Sequence, residues 1–429
     1  MVFVVIAVFL LLALLGVPIA FSMAAASIIW LLITGMPVEL FVQQICAGVS
    51  SFPFLAIPLF ILAGNLMDTG GMANRLVNLA KGLVGHFRGG LGMVVVVSEV
   101  LFSGISGSSI ADASAMSSLL LPAMDRARYP RDRSVCIIAA ASAMGILIPP
   151  CLTMIVLGGI SNISIAALFV AGFLPGFCLA LVLMGLIYYQ ARKGLLPEGE
   201  RRFTGAQLFQ VSKSSVVPLL MPVIIFGGIL GGVATTTEVA VLAVIYAVIA
   251  GVYYYKEIAW SEFPNLLFNL VRLIGSVMFL AGVATAFSWI MASEQVPQLI
   301  GGMIKHVTTS PFVFLLICDF IFILFSGLID GLPAVLIFFP ILAPVATDFG
   351  VSPLHFALLT VACSGIGLVV PPLGMLLIII SAIGKVNLSR VSRPMIPYVA
   401  ILIIGLVIIT SIPWITLILP RIAFPSGGY

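Results

Sequence analysis

The chain has 429 residues, 62% of them hydrophobic and 8% charged, with a net charge of +4. A soluble domain carries about 25% charged residues, so this composition excludes a soluble globular protein and turns most of the surface toward lipid. The basic residues sit in short loops beside apolar runs rather than on one face, which excludes nucleic acid as a partner.

Met1–Leu15 is apolar and lacks a basic leader, so a first membrane helix is expected there rather than a cleaved signal. Further apolar helical runs are expected at 17–34, 53–67, 131–158, 163–190, 214–232, 236–254, 270–293, 352–384 and 394–420. Amphipathic stretches at 37–48, 71–86, 257–268 and 295–305 read as helices lying along the membrane interface. The six cysteines (Cys46, Cys136, Cys151, Cys178, Cys318, Cys363) lie scattered in apolar segments without metal-type spacing, and read as small buried residues.

Two regions, 90–126 and 311–347, are not simple spans. Each is an apolar run of about 15 residues, a polar break, and a second apolar run. The breaks are Ser103-Gly104-Ile105-Ser106-Gly107-Ser108-Ser109 and Ser326-Gly327-Leu328-Ile329-Asp330-Gly331. Halves this short span a bilayer of about 30 Å poorly, so each region is expected to be a re-entrant helical hairpin with its polar tip deep in the protein. With the N-terminus outside, 17 of the 19 Lys and Arg fall on the cytoplasmic side and only Lys305 and Arg421 outside, the bias of cytoplasmic loops.

The two regions belong to a longer repeat. Ser103-Gly104-Ile105 recurs as Ser326-Gly327-Leu328, 223 residues on, and Gly145–Pro150 recurs as Gly367–Pro372, 222 residues on. The order of elements also matches, but the first half starts outside and the second inside. Halves of opposite topology mark many secondary transporters. The expected fold is an all-α integral membrane protein of about ten spans plus two re-entrant hairpins, in inverted repeats 1–210 and 211–429. Broken helices are expected at 131–158 and 352–384.

A proline pair within an apolar helix removes backbone donors and frees carbonyls, and a hard cation such as Na⁺ suits freed carbonyls and hydroxyls. One cation site is therefore expected from Ser103, Ser106, Gly145, Ile148 and Pro149. Its repeat mate would use Ser326, Gly327, Gly367, Val370 and Pro371. A kinked helix sealed by its neighbours or by water answers the same pattern. Ser108 and Ser109 are placed to cap the second arm of the first hairpin, and Asp330 that of the second, with Pro333 in its first turn. Two helix N-termini near the midplane suit a carboxylate, which favours anionic substrates. Glu99, Asp112, Glu238, Asp319 and Asp330 are intramembrane acids. Asp330 at a tip reads as functional or as a cap, and Glu99 and Asp319 read as structural.

These residues resemble the large membrane subunit of the TRAP (tripartite ATP-independent periplasmic) transporters, the DctM type, over essentially the whole chain. The resemblance rests on Phe102–Asp112, Gly145–Pro150, Gly228–Glu238 with its Thr235-Thr236-Thr237-Glu238, and Gly367–Gly374. It implies an elevator-type transporter with a mobile transport domain and a scaffold, in a bacterial inner membrane, with both termini periplasmic. It implies a small membrane subunit of the DctQ type and a periplasmic binding protein of the DctP type as partners. It further implies a Na⁺ gradient as driving force, no cofactor, and carboxylates such as C4-dicarboxylates, sialic acid and other sugar acids as substrates. Ser161 is a substrate contact by this resemblance alone. Cys151, Val370 and Thr236 depart from the residues usual in the family. A stand-alone anion symporter or antiporter is the alternative. A remoter one is an intramembrane serine protease, suggested by Gly104-Ile105-Ser106-Gly107 with His355 as base.

Overall fold

The computed structural model describes residues 2–50, 52–107 and 109–425, which form helices and no strand. The first half runs α1 (Val2–Leu14), α2 (Ile19–Thr34), α3 (Glu39–Val49), α4 (Ala56–Thr69), α5 (Met72–Val84), α6 (Gly90–Ser106), α7 (Ser109–Arg126), α8 (Arg131–Gly145), α9 (Leu152–Ser161) and α10 (Ile165–Arg192). The second runs α11 (Gly205–Leu230), α12 (Thr236–Val248, continued by a π-helical turn Ile249–Tyr254), α13 (Phe263–Ser293), α14 (Val296–Val307) and α15 (Pro311–Ile329). It closes with α16 (Gly331–Asp348), α17 (Pro353–Gly367), α18 (Met375–Ile383), α19 (Leu388–Ser411) and α20 (Trp414–Ala423).

Helix boundaries follow local chemistry. Gly35, at φ 71°, ends α2 in the left-handed conformation that glycine adopts without strain. Capping boxes open α11 and α12: Thr204 pairs with Gln207, and Thr235 with Glu238. The Glu238 carboxylate accepts from the Thr235 amide at 2.7 Å and its hydroxyl at 2.8 Å. This acid therefore starts a helix.

Among the described residues, seven helical segments are long and apolar enough to cross a membrane: α10, α11, α12 with its π turn, α13, α15, α16 and α19. Helices α3 and α4 pass the same test as one pair bent by 65°. The chain is an all-helical, multi-pass membrane protein. Three expectations from the sequence change. The stretch 257–268 is not a separate interfacial helix, because α13 continues unbroken from Phe263 to Ser293 with Pro264 in its first turn. The run 394–420 is two helices that part at Ile412–Pro413. The second hairpin's arms are longer than expected: α15 and α16 have 19 and 18 residues, about 28 Å of helix each. Length thus fails to separate them from spans. The turn makes the hairpin, since only Asp330 lies between two arms that pack side by side.

Packing sorts the helices into two groups. Helix α13 packs on α2 and α3, α12 on α4, α11 on α5, and α1 on α2. In the other group α8 packs on α6, α7 and α19, while α17 packs on α15, α16 and α19. The groups meet where α4 and α5 touch α6 and where α13 and α14 touch α16. The halves are interlocked as well: α18 packs on α7, and α9 on α16. The second limb of each broken helix thus leans on the other half's hairpin.

Candidate ion- and anion-binding site

Each hairpin sits against the break in the helix that follows it. Between α8 and α9 the chain passes through a cis Pro149–Pro150 bond, and between α17 and α18 through a cis Pro371–Pro372 bond. A Cβ built on Gly104 would lie 3.2 Å from the Pro149 carbonyl oxygen, and one on Gly327 would lie 3.1 Å from that of Gly367. A Cβ on Gly145 would strike the Ser103 hydroxyl. On Gly367 it would come within 2.5 Å of the Ile323 carbonyl oxygen and 2.6 Å of the Ser326 Cβ. The hairpin serines therefore rest directly on the breaks. Ser103, Gly145, Ile148 and Pro149 lie together, and so do Ser326, Gly327 and Gly367.

The first hairpin holds a buried polar cluster. Glu99 and Ser103 lie four residues apart on one face of α6, and Asp112 approaches from the first turn of α7. The Ser103 hydroxyl oxygen is 2.9 Å from Asp112 Oδ2 and 3.2 Å from Glu99 Oε2, and Ser142 of α8 donates to Glu99 Oε1. All four residues are buried. A hydroxyl carries one proton, so Ser103 donates to one carboxylate at a time. None of the ion pairs among the described residues involves Glu99. Buried carboxylates side by side are costly without a compensating positive charge or proton.

The second hairpin differs at matched positions. Ser326 is buried, and its hydroxyl has no hydrogen-bond partner among the described residues. Phe322 and Val335 stand 223 residues after Glu99 and Asp112, and both are buried. Ser364, the match of Ser142, turns its hydroxyl to its own helix at the Val361 carbonyl, 2.7 Å away. A buried orphan hydroxyl is rare and calls for a ligand or a water.

The tips differ too. Gly107 lies at φ 69° and Asp330 at φ 87°, ψ 153°. The second combination is one that essentially only glycine adopts freely, at a cost of about 1–3 kcal/mol for other residues. Asp330 Oδ1 accepts from the Gly331 amide at 2.7 Å at the start of α16. In the first hairpin the Gly107 carbonyl accepts from the Leu152 amide at 3.1 Å, which ties the tip to the start of α9.

The other expected residues are placed as follows. The backbone of Ser106 ends α6 and Ser109 begins α7, while Ser108 lies outside the described residues. Val370 and Pro371 line an open cavity shared with α19, and the Val370 carbonyl accepts from the Gly374 amide at 2.9 Å. Ser161 ends α9, nine residues past the hairpin-bonded Leu152, or about 14 Å along the helix. Its hydroxyl donates to the Leu157 carbonyl at 2.5 Å. Asp319 accepts from Cys363 at 3.2 Å and from Thr410 at 2.8 Å. His355 is buried at the start of α17 against Thr416 of α20, with Nδ1 2.7 Å from that hydroxyl. Sequence reasoning missed Ser142, which holds Glu99, the acid read there as structural. The spacing of Glu99 from Ser103 was the available signal, but the partners on α7 and α8 are tertiary.

A family model described as "Tripartite ATP-independent periplasmic transporter, DctM component" matches residues 6–415. The sialic acid TRAP transporter large permease protein SiaM of Vibrio cholerae is 34% identical over 416 residues, 96% of each chain. The C4-dicarboxylate TRAP transporter large permease protein DctM of Pseudomonas aeruginosa is 35% identical over 370 residues, 86% of each chain. Among solved structures, the Alcanivorax borkumensis YdaH transporter, described as having an unusual topology, is similar in fold with a TM-score of 0.66. The two are 14% identical, with 89% of this chain and 88% of that chain covered. The paired hairpins and broken helices are thus those of a transporter permease rather than an enzyme, and the chain belongs to the DctM family of TRAP transporter large components.

Proposed function

We propose that the chain drives Na⁺-coupled uptake of a small organic anion with a carboxylate group, across a bacterial inner membrane with both termini periplasmic. A periplasmic binding protein delivers the substrate, and a small membrane subunit braces the scaffold. The hairpins and broken helices move together against that scaffold in an elevator cycle. The observation that carries this reading is the repeated contact of a hairpin serine with a glycine at a proline-broken helix, Ser103 on Gly145 and Ser326 on Gly367. Breaks of this kind set carbonyls, hydroxyls and helix N-termini at the midplane, where cations and anionic groups bind in secondary transporters. Ser103, Ser106, Gly145, Ile148 and Pro149 would hold one Na⁺, and Ser326, Gly327, Gly367, Val370 and Pro371 a second. The orphan Ser326 hydroxyl supports the second site. Ser108, Ser109 and Asp330 would face the substrate, with Ser161 on its route. The substrates named for SiaM and DctM are carboxylates, which supports the class but selects no member of it.

The test is uptake of labelled carboxylates into proteoliposomes holding this chain with a small subunit and binding protein. Uptake that requires both an inward Na⁺ gradient and the binding protein is the expected result. Uptake without the binding protein would replace this reading with a stand-alone symporter. Uptake indifferent to Na⁺ would remove the coupling ion.

A further inference from the structure

The outer flank of the second hairpin carries a groove that the transport cycle above does not use. It consists of two adjoining cavities of about 650 and 340 Å³ that share Val370, Val399 and Ile403. One wall is α19, the other is α15, and the floor is the break at Val370–Pro371. Either volume falls within the range of small-molecule pockets, about 300–1,000 Å³. The group built on α11, α12 and α13 reaches the hairpins mainly through α6 and α16, not through α15 or α19. Exposed Phe320, Ile396 and Ile404 flank the groove, so this side faces lipid.

Apart from Asp319, the polar lining of the groove is gathered at one end. Arg393 lines it beside Ser389 and Ser392, and among the described residues Arg393 makes no ion pair or hydrogen bond. The far end reaches Leu406 and Val407. From Arg393 to Val407 the helix rises about 21 Å, more than one leaflet of a hydrocarbon core about 30 Å thick. An unpaired cation at headgroup depth, continued by an apolar trough of leaflet length, complements an anionic amphiphile. Asp319 is the acid on the trough wall, and its oxygens are taken by Cys363 and Thr410. Asp132 lines the neighbouring cavity with Arg131, Lys385 and Arg390, which keeps that end of α19 predominantly basic.

We propose that this groove seats one anionic phospholipid, its phosphate on Arg393 and one acyl chain lying over Val370 and Pro371 between α15 and α19. The lipid packs against the outer side of the second broken helix and so supports the backbone of the second proposed cation site. The binding claim rests on the membrane fold alone; only this supporting role rests on the proposed function.

The experiment is native mass spectrometry of the delipidated full chain titrated with phosphatidylglycerol or phosphatidylcholine of identical acyl chains. A single basic residue near the membrane surface favours an anionic lipid by roughly fivefold, and that preference is expected for the wild type. Arg393→Gln should abolish it, while Lys305→Gln, at the far interface, should leave it intact. Ile403→Trp should fill the trough and lower occupancy by either lipid, which keeps the test open if Arg393→Gln folds poorly. Equal binding of the two lipids by the wild type, or a preference that survives Arg393→Gln, overturns the proposal. So does a cross-link from position 403 to a helix of a partner subunit in place of lipid, since the groove is then a protein interface. Failure of Na⁺-driven uptake bears on the transport reading and leaves the lipid result standing.

Discussion

The two hairpins share a plan and differ in how their central serines are satisfied. Ser103 sits between two carboxylates, with Ser142 holding the further oxygen of Glu99. Ser326 occupies the matching place among Phe322 and Val335, and its hydroxyl is left without a partner. One hairpin thus carries its own carboxyl groups into the membrane, while the other carries a hydroxyl among apolar neighbours. A repeat fixes the backbone scaffold of the two proposed sites without fixing their electrostatics, and each can be tuned by residues one helical turn away.

Four experiments break or sharpen this comparison. The largest effect is expected at the glycines. Gly367→Ala places a methyl against backbone and Cβ atoms that cannot rotate away, whereas Gly145→Ala meets a serine hydroxyl that can. Overpacking of this kind costs about 1–3 kcal/mol. Gly367→Ala should therefore abolish uptake and lower the thermal midpoint, with Gly145→Ala clearly milder; equal loss in both would show that the two contacts are equivalent.

Next are the serines, measured as thermal midpoints with and without Na⁺. Ser103→Ala leaves Glu99 and Asp112 short of a donor and should destabilise by about 1–3 kcal/mol in either buffer. Ser326→Ala removes an unpaired hydroxyl and should be neutral or stabilising without Na⁺, yet lose part of the stabilisation that Na⁺ confers on the wild type. A Ser326→Ala variant as destabilised as Ser103→Ala in Na⁺-free buffer would mean that the hydroxyl already has a partner.

At the tips, Gly107→Ala forces a side chain to φ 69° with the Pro150 carbonyl oxygen 3.1 Å from its Cβ, a cost of about 1–2 kcal/mol. Asp330→Gly should change stability least. It relieves a strained backbone worth about 1–3 kcal/mol and loses a cap worth about 1 kcal/mol, so the thermal midpoint should hold or rise slightly. Uptake should still fall if the carboxylate meets substrate or holds the tip in place. A large drop in midpoint would show that the Oδ1 bond to Gly331 outweighs the strain.

The local signals in the sequence were strong where glycine, proline and serine interrupt apolar runs. The breaks at Ser103–Ser109 and Ser326–Gly331 and the two proline pairs could be read directly, because such residues change backbone behaviour wherever they occur. Spans without an interruption were harder. Nothing between Pro264 and Ser293 marks where an interfacial stretch would become a span, and the chain continues as one helix. The two longest-range features of the site were not legible. Ser142 joins Glu99 from 43 residues away, and the unpartnered Ser326 hydroxyl depends on what α15, α16 and α17 bring to one point.

Near the C-terminal ends of α8 and α17 the two broken helices cross at Gly365, where a Cβ would strike the Ala143 carbonyl. Their backbones meet there, with the Ile146 side chain packed alongside. A close-packed joint of this kind does not slide easily, so the first limbs of the two broken helices behave as one solid part. In the proposed cycle, whatever is lodged on either break would then travel as joint cargo, with the number of passengers set by the shape of the carriage rather than by the timing of separate doors.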